Sequence, residues 1–181
     1  MGYAIVGYFD EKTSKKIKKI WRILSDNSVD DYLINSENDP HFKFYMCDEI
    51  GNDINKIKNA ISKIVTNNNE LKLHFKKFGF YPNKEKPFIT LDIADNSSVI
   101  QLFNEIHAAF NKCTDQNYAN YFSQNIWKPD IQLTTSIDSR ILSTAIEILN
   151  DVDLPFDGYL CSIGLIEFHP AKQVFRIPFG S

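Results

Sequence analysis

The 181-residue sequence predicts an α+β fold, a duplicated body of two lobes in which antiparallel sheets face a central cleft and helices cover the outer faces. Three observations carry this expectation. The order strand, helix, strand, strand occurs twice along the chain. A proline leading a short strand recurs 89 positions on, first as Pro40-His41-Phe42-Lys43-Phe44 and then as Pro129-Asp130-Ile131-Gln132-Leu133. A Phe-x-Pro-x-Lys landmark recurs at an offset of 88, from Phe80 to Lys84 and from Phe168 to Lys172. Two landmarks at nearly one offset indicate an internal duplication. The expected organisation is a single domain over residues 1–181, with a first lobe at about 41–112 and a second at about 129–181 joined by 1–26.

Each element has its own reason. Residues 3–9 suit a first strand, and Ile17, Ile20, Trp21 and Leu24 fall on one face of a following helix. The polar stretch 26–40 ends in Asp39-Pro40, which favours extended backbone and starts the first motif strand at 41–47. After Gly51-Asn52-Asp53, a helix carries Ile54, Ile57, Ile61 and Ile64 on one side and stops at Asn67-Asn68-Asn69. Leu71, Leu73 and Phe75 alternate with Lys72, His74 and Lys76, which predicts a strand as far as Tyr81. Residues 83–86 form the turn of a hairpin into a strand at 88–93, and a third helix turns Val99, Leu102, Phe103, Ile106 and Phe110 inward. The polar and aromatic stretch 113–125 reads as a surface loop that delivers Trp127-Lys128-Pro129 to a second motif strand at 130–137. Asp138 is placed to cap a helix bearing Ile141, Leu142, Ala145, Ile148 and Leu149, and strands near 157–168 and 172–179 complete the repeat.

Composition narrows the function classes. Hydrophobic residues at 43% and charged residues at 24% describe a globular chain with a core of its own. No apolar run approaches the ~20 residues a membrane-spanning helix requires, and no cationic leader opens the sequence, so the expected location is cytoplasmic. Cys47, Cys113 and Cys161 have no CxxC spacing and suit reduced thiols; neither a structural metal nor a cofactor is expected. Net charge is −3, but residues 1–86 hold 15 Lys/Arg against 12 Asp/Glu, whereas residues 87–181 hold 5 against 11. The lysine run from Lys56 to Lys86 could steer a phosphate-bearing ligand, although a solvated surface explains it as simply. The broad basic footprint of a duplex-binding protein is missing.

Alternation along the two motif strands puts His41 and Lys43 on one side of the first, and Asp130 and Gln132 on the matching side of the second. Phe42, Phe44, Ile131 and Leu133 then point into the cores. His74, His107 and His169 read as surface or structural residues, with His169 the one to inspect for reach into the cleft. Tyr118, Tyr121, Phe122 and Trp127 could form an aromatic platform for a base, with packing as the simpler account.

With these residues and this order of elements, nearly the whole chain resembles the 2H phosphoesterase superfamily, which includes 2′-5′ RNA ligase-like proteins and cyclic nucleotide phosphodiesterases. In that family each lobe supplies a His-x-Thr or His-x-Ser motif. The resemblance implies cleavage or joining of a 2′-linked or 2′,3′-cyclic phosphodiester without metal. One imidazole takes a proton, a second gives one to the leaving oxygen, and hydroxyls hold the phosphate.

The sequence departs from the pattern at three of the four positions. Lys43 and Gln132 replace the hydroxyls and remain able to bind phosphate, one by charge and one through its amide. Asp130 replaces the second histidine. With an ordinary carboxylate pKa near 3.9 it would be charged at neutral pH, suited to act as base with His41 as acid, or to close a salt bridge with Lys43. The expected function is therefore that of a divergent, weakened phosphoesterase, with His41 and Asp130 as catalytic residues, Lys43 and Gln132 as phosphate ligands, and a nucleotide or RNA end as partner. The alternative is a catalytically inactive descendant that binds a nucleotide or a protein through the same cleft. No membrane partner is expected, and a monomer is the default.

Overall fold

The structure, a computed structural model, describes residues 2–36, 38–47, 54–81, 87–110, 127–168 and 172–180. In chain order the elements are β1 (Gly2–Phe9), α1 (Glu11–Asp26), the one-turn α2 (Tyr32–Asn35), β2 (His41–Cys47), α3 (Ile54–Asn67), β3 (Leu71–Tyr81) and β4 (Phe88–Ile93). They are followed by α4 (Ser97–Phe110), β5 (Asp130–Gln132), a 3₁₀ turn (Ser139–Ile141), α5 (Leu142–Asn150), β6 (Phe156–Phe168) and β7 (Lys172–Pro178). The expected α+β class and antiparallel strand pairing are both present.

All seven strands belong to one sheet, ordered β2-β1-β6-β3-β4-β5, with β7 also paired to β6. The sheet forks at β6. One edge of β6 pairs with β1, while its other edge pairs with β3 over Phe156 to Leu160 and with β7 over Ser162 to Glu167. One branch therefore ends at β2 and the other at β5. The two branches interleave along the chain: β2 lies beside β1, and β3 and β4 lie with β5. Strand neighbours thus group differently from the contiguous segments 41–112 and 129–181 with 1–26.

The helices lie on one face. Asp10 caps α1 by accepting from Thr13 N at 2.9 Å, and Ile17, Ile20, Trp21 and Leu24 are buried as their spacing predicts. On α3 the buried row is Ile57, Ile61 and Val65; Ile54 is 42% exposed and Ile64 only partly buried, so the stripe is rotated from the expected one. All five expected apolar residues of α4 are buried. These side chains join Ile5, Phe42, Phe44, Leu73, Phe75, Leu91, Ile131 and Leu133 in one core. On the opposite face, free of helices among the described residues, Ala4, Val6, Tyr8 and Ile166 form a small separate cluster.

Two local departures shape the site. Opposite Ile5 and Val6 the partner jumps from Tyr45 to Lys43, so Phe44 is the extra residue of a β-bulge. The bulge lets both Phe44 and Tyr45 enter the core while Lys43 and His41 keep the other face. The second departure is β5, which ends at Gln132 rather than Ile137. Beyond it Thr134 Oγ1 accepts from Ile89 N at 2.9 Å, and the Asp30 carboxylate accepts from Thr135 N at 2.7 Å, so side chains interrupt a backbone pairing that resumes where Ile137 N donates to the Pro87 carbonyl at 2.9 Å. Asp138 caps the 3₁₀ turn ahead of α5, accepting from Arg140 N at 2.9 Å.

Candidate active site

The two edge strands meet across the helix-free face. Lys43 Nζ lies 3.4 Å from Gln132 Oε1, a long contact that joins the third residue of one motif strand to the third residue of the other. Both strands are anchored from behind by tryptophan. Trp127 Nε1 donates to the Lys43 carbonyl at 2.9 Å, and Trp21 Nε1 donates to the Gln132 carbonyl at 3.1 Å. An edge strand leaves such carbonyls without a ladder partner, and each indole supplies a donor from inside the core. Trp127 is 7% exposed and stacks on Phe44 and Phe103, so it is a structural anchor and not part of a base platform. Tyr118, Tyr121, Phe122 and His169 lie outside the described residues.

His41 opens β2 with its Nδ1 at 2.7 Å from the Asp39 carbonyl. A carbonyl only accepts, so Nδ1 carries the proton and Nε2 carries the lone pair. Burial pushes the imidazole down to about 4; the Asp39 carbonyl opposes this and the Lys43 ammonium reinforces it. His41 is thus a neutral base at neutral pH. Burial also holds Lys43 below the usual lysine range, with the Asp130 charge acting the other way.

Asp130 opens β5 opposite Asp92 of β4, and Gln132 lies opposite Thr90. Thr90 Oγ1 donates to Asp92 Oδ1 at 2.9 Å. Gly79 on β3 leaves them room: a Cβ there would stand 2.4 Å from Thr90 Oγ1 and 2.7 Å from Asp92 Oδ1. Burial, with the Asp92 charge adding to it, raises Asp130 to about 6 against Lys43 and the Tyr81 hydroxyl, whose oxygen is 3.4 Å from Asp130 Oδ2. The carboxyl therefore holds its proton well into the range where a second histidine would. Asp92 and Tyr81 were not legible as site residues, because only the strand register sets them beside Asp130.

The other described histidines sit elsewhere. His74 Nδ1 pairs with Asp157 Oδ1 at 2.8 Å on the surface, and His107 Nε2 donates to the Phe44 carbonyl at 3.0 Å. Among the described residues, no three or more His, Cys, Asp or Glu side chains come together as a metal-holding group. An open depression on α1, lined by Glu11, Lys12, Lys15, Lys16 and Lys19, contains none of the motif residues. No helix among the described residues is long and apolar enough to cross a membrane.

This α+β architecture, with its antiparallel sheet, matches the 2H phosphoesterase fold. Solved structures of that fold match the chain from end to end. TT0787 of Thermus thermophilus has a TM-score of 0.67 at 9% identity, over 100% of this chain and 99% of that one. Apo LigT of E. coli has a TM-score of 0.61 at 13% identity, over 99% and 98%. Usb1 of Kluyveromyces marxianus has a TM-score of 0.55 at 7% identity, over 98% and 97%. No family model matches the sequence, and neither does any curated protein. The chain therefore shares the 2H phosphoesterase fold of these neighbours at low sequence identity.

Proposed function

We propose that the protein cleaves a 2′-linked or 2′,3′-cyclic phosphodiester of a nucleotide or RNA end, with His41 as general base and Asp130 as general acid. Water attacks phosphorus while His41 Nε2 takes its proton, and the bond from phosphorus to the leaving ribose oxygen breaks as Asp130 gives that oxygen its own proton. Lys43 and Gln132 hold the phosphate oxygens. The reading is carried by one observation: His41 and Asp130 open the two strands whose third residues, Lys43 and Gln132, meet at 3.4 Å, and between about pH 4 and 6 burial favours the neutral form of both. This reverses the roles that ordinary pKa values suggest. Solved complexes of E. coli LigT with 3′-AMP and with ATP support a nucleotide as the ligand of this fold.

A base of about 4 and an acid of about 6 give a bell-shaped rate profile. The rate rises as His41 loses its proton and falls as Asp130 loses its own, with an optimum between the two. At pH 7 about a tenth of Asp130 remains protonated, so the expected activity at neutrality is weak. The test is hydrolysis of 2′,3′-cyclic nucleotides and 2′-5′ linked dinucleotides from pH 3.5 to 8 by the native protein, by His41→Ala, and by Lys43→Thr/Asp130→His/Gln132→Thr. Turnover with an acidic optimum that disappears in His41→Ala supports the reading. A native protein that binds nucleotide without turnover, while the triple variant gains turnover, establishes the binding protein instead. No turnover and no calorimetric nucleotide binding in any form would sink both.

A further inference from the structure

Contacts from four parts of the chain converge behind His41. The Asp39 carbonyl accepts from His41 Nδ1, and the Asp39 carboxylate is gripped from two sides: Lys18 Nζ of α1 lies 2.7 Å from Oδ1 and Arg176 of β7 lies 3.2 Å from Oδ2. Arg176 is itself fixed, because its Nε donates to Ser162 Oγ of β6 at 2.7 Å and its guanidinium lies 4.4 Å from the Tyr8 ring centroid. Tyr8 meets the His41 ring edge-on at 5.9 Å and lies opposite both His41 and Ser162 in the sheet. Pro40 adds a backbone restraint by disfavouring any helical conformation at Asp39. Both ion pairs are partly solvated, so their loss should cost the fold little while releasing Asp39.

We infer that Lys18, Asp39 and Arg176 form a positioning clamp for His41, fixing the Asp39 carbonyl so that the imidazole keeps its proton on Nδ1 and presents Nε2 as the basic nitrogen. The catalytic consequence rests on the proposed role of His41, but the tautomer can be read without turnover. The charged and titratable groups around the ring are Lys43 on its own strand, Tyr8 on β1, Asp39 ahead of it and Arg176 on β7. None of the clamp residues is assigned contact with substrate.

The experiment is ¹⁵N–¹H correlation of the histidine rings in the full chain, paired with pH–rate profiles, for the native protein, Lys18→Ala/Arg176→Ala, Lys18→Ala alone and Arg176→Lys. The native His41 should show one tautomer, protonated at Nδ1. The double variant should populate both tautomers, lose about 10-fold in kcat with KM nearly unchanged, and move the acidic limb to lower pH, because the carbonyl that raises the imidazole is released. Arg176→Lys, which keeps the charge beside Asp39, should retain most of the native tautomer. An unchanged tautomer and acidic limb in the folded double variant overturn the clamp, and if that variant does not fold, Lys18→Ala decides by the same readouts. A native protein without turnover whose tautomer still responds keeps the clamp and fails the proposed reaction. Turnover with an unresponsive tautomer does the reverse.

Discussion

β2 and β5 present their leading residues to the same face, yet one begins with an imidazole and the other with a carboxyl. Burial disfavours charge on both. For His41 this means giving up a proton, and for Asp130 it means keeping one. Their supports differ as well: the Asp39 carbonyl accepts from His41, whereas Asp130 faces a second carboxylate across the strand pair. The comparison teaches that loss of solvent favours opposite protonation states in an imidazole and a carboxyl, and brings the carboxyl toward the range of a histidine.

The comparison is broken most directly at His41. His41→Ala should lower kcat on 2′,3′-cyclic nucleotides by ~10²- to 10⁴-fold, read by initial rates at the pH optimum. A next, smaller effect concerns stability. Between about 4 and 6 the folded Asp130 holds a proton that its unfolded counterpart, near 3.8, has lost, so its contribution falls as pH rises. His41, about 4 when folded and 6.5 when unfolded, contributes stability that is present above 6.5 and lost as pH falls toward 4. The two slopes oppose each other over the same window. Asp130→Asn should therefore stabilise the protein at pH 7 by up to about 3 kcal/mol, less what Lys43 loses, and leave stability rising with pH. His41→Ala should leave it falling. Urea titrations at pH 4.5, 5.5 and 7 check both, and parallel slopes in the two variants would contradict the assignment.

Gly79→Ala sharpens the Asp130 side, because the added Cβ must displace Thr90 Oγ1 and Asp92 Oδ1. Overpacking of this kind costs about 1–3 kcal/mol in denaturant unfolding. The smallest effect belongs to Asp92→Asn. Removing that charge should move the alkaline limb of the rate profile to lower pH and reduce activity at pH 7 several-fold, while the acidic limb set by His41 stays in place.

Much of the fold was legible because alternation and helical spacing are local. β2 occupies 41–47 as read, and Phe42, Phe44, Ile131 and Leu133 enter the core. The length of β5 was not legible, since Leu133 and Ile137 are buried with strand-like spacing while Asp30, more than a hundred residues earlier, takes the Thr135 and Ser136 backbone donors. Strand neighbours were also hidden, because nothing within 41–47 specifies β1 rather than β3 as partner. The identities of His41, Lys43, Asp130 and Gln132 could be read from the sequence. The protonation of Asp130 could not, as it depends on burial and on a charge from another strand. Trp127 follows the simpler of its two readings: it is packed in the core, and its N–H holds the Lys43 carbonyl, a bond that no local pattern announces.

β6 is a single strand of 13 residues to which both branches of the sheet are attached. Mechanically, β2 and β5 are the tips of two arms carried on one beam. Gly158 and Gly164 lie along it, where a Cβ would strike Thr13 Oγ1 at 2.1 Å and the Phe175 carbonyl at 2.7 Å respectively. A side chain at either position must displace these neighbours, so the strand that carries both arms tolerates little added bulk.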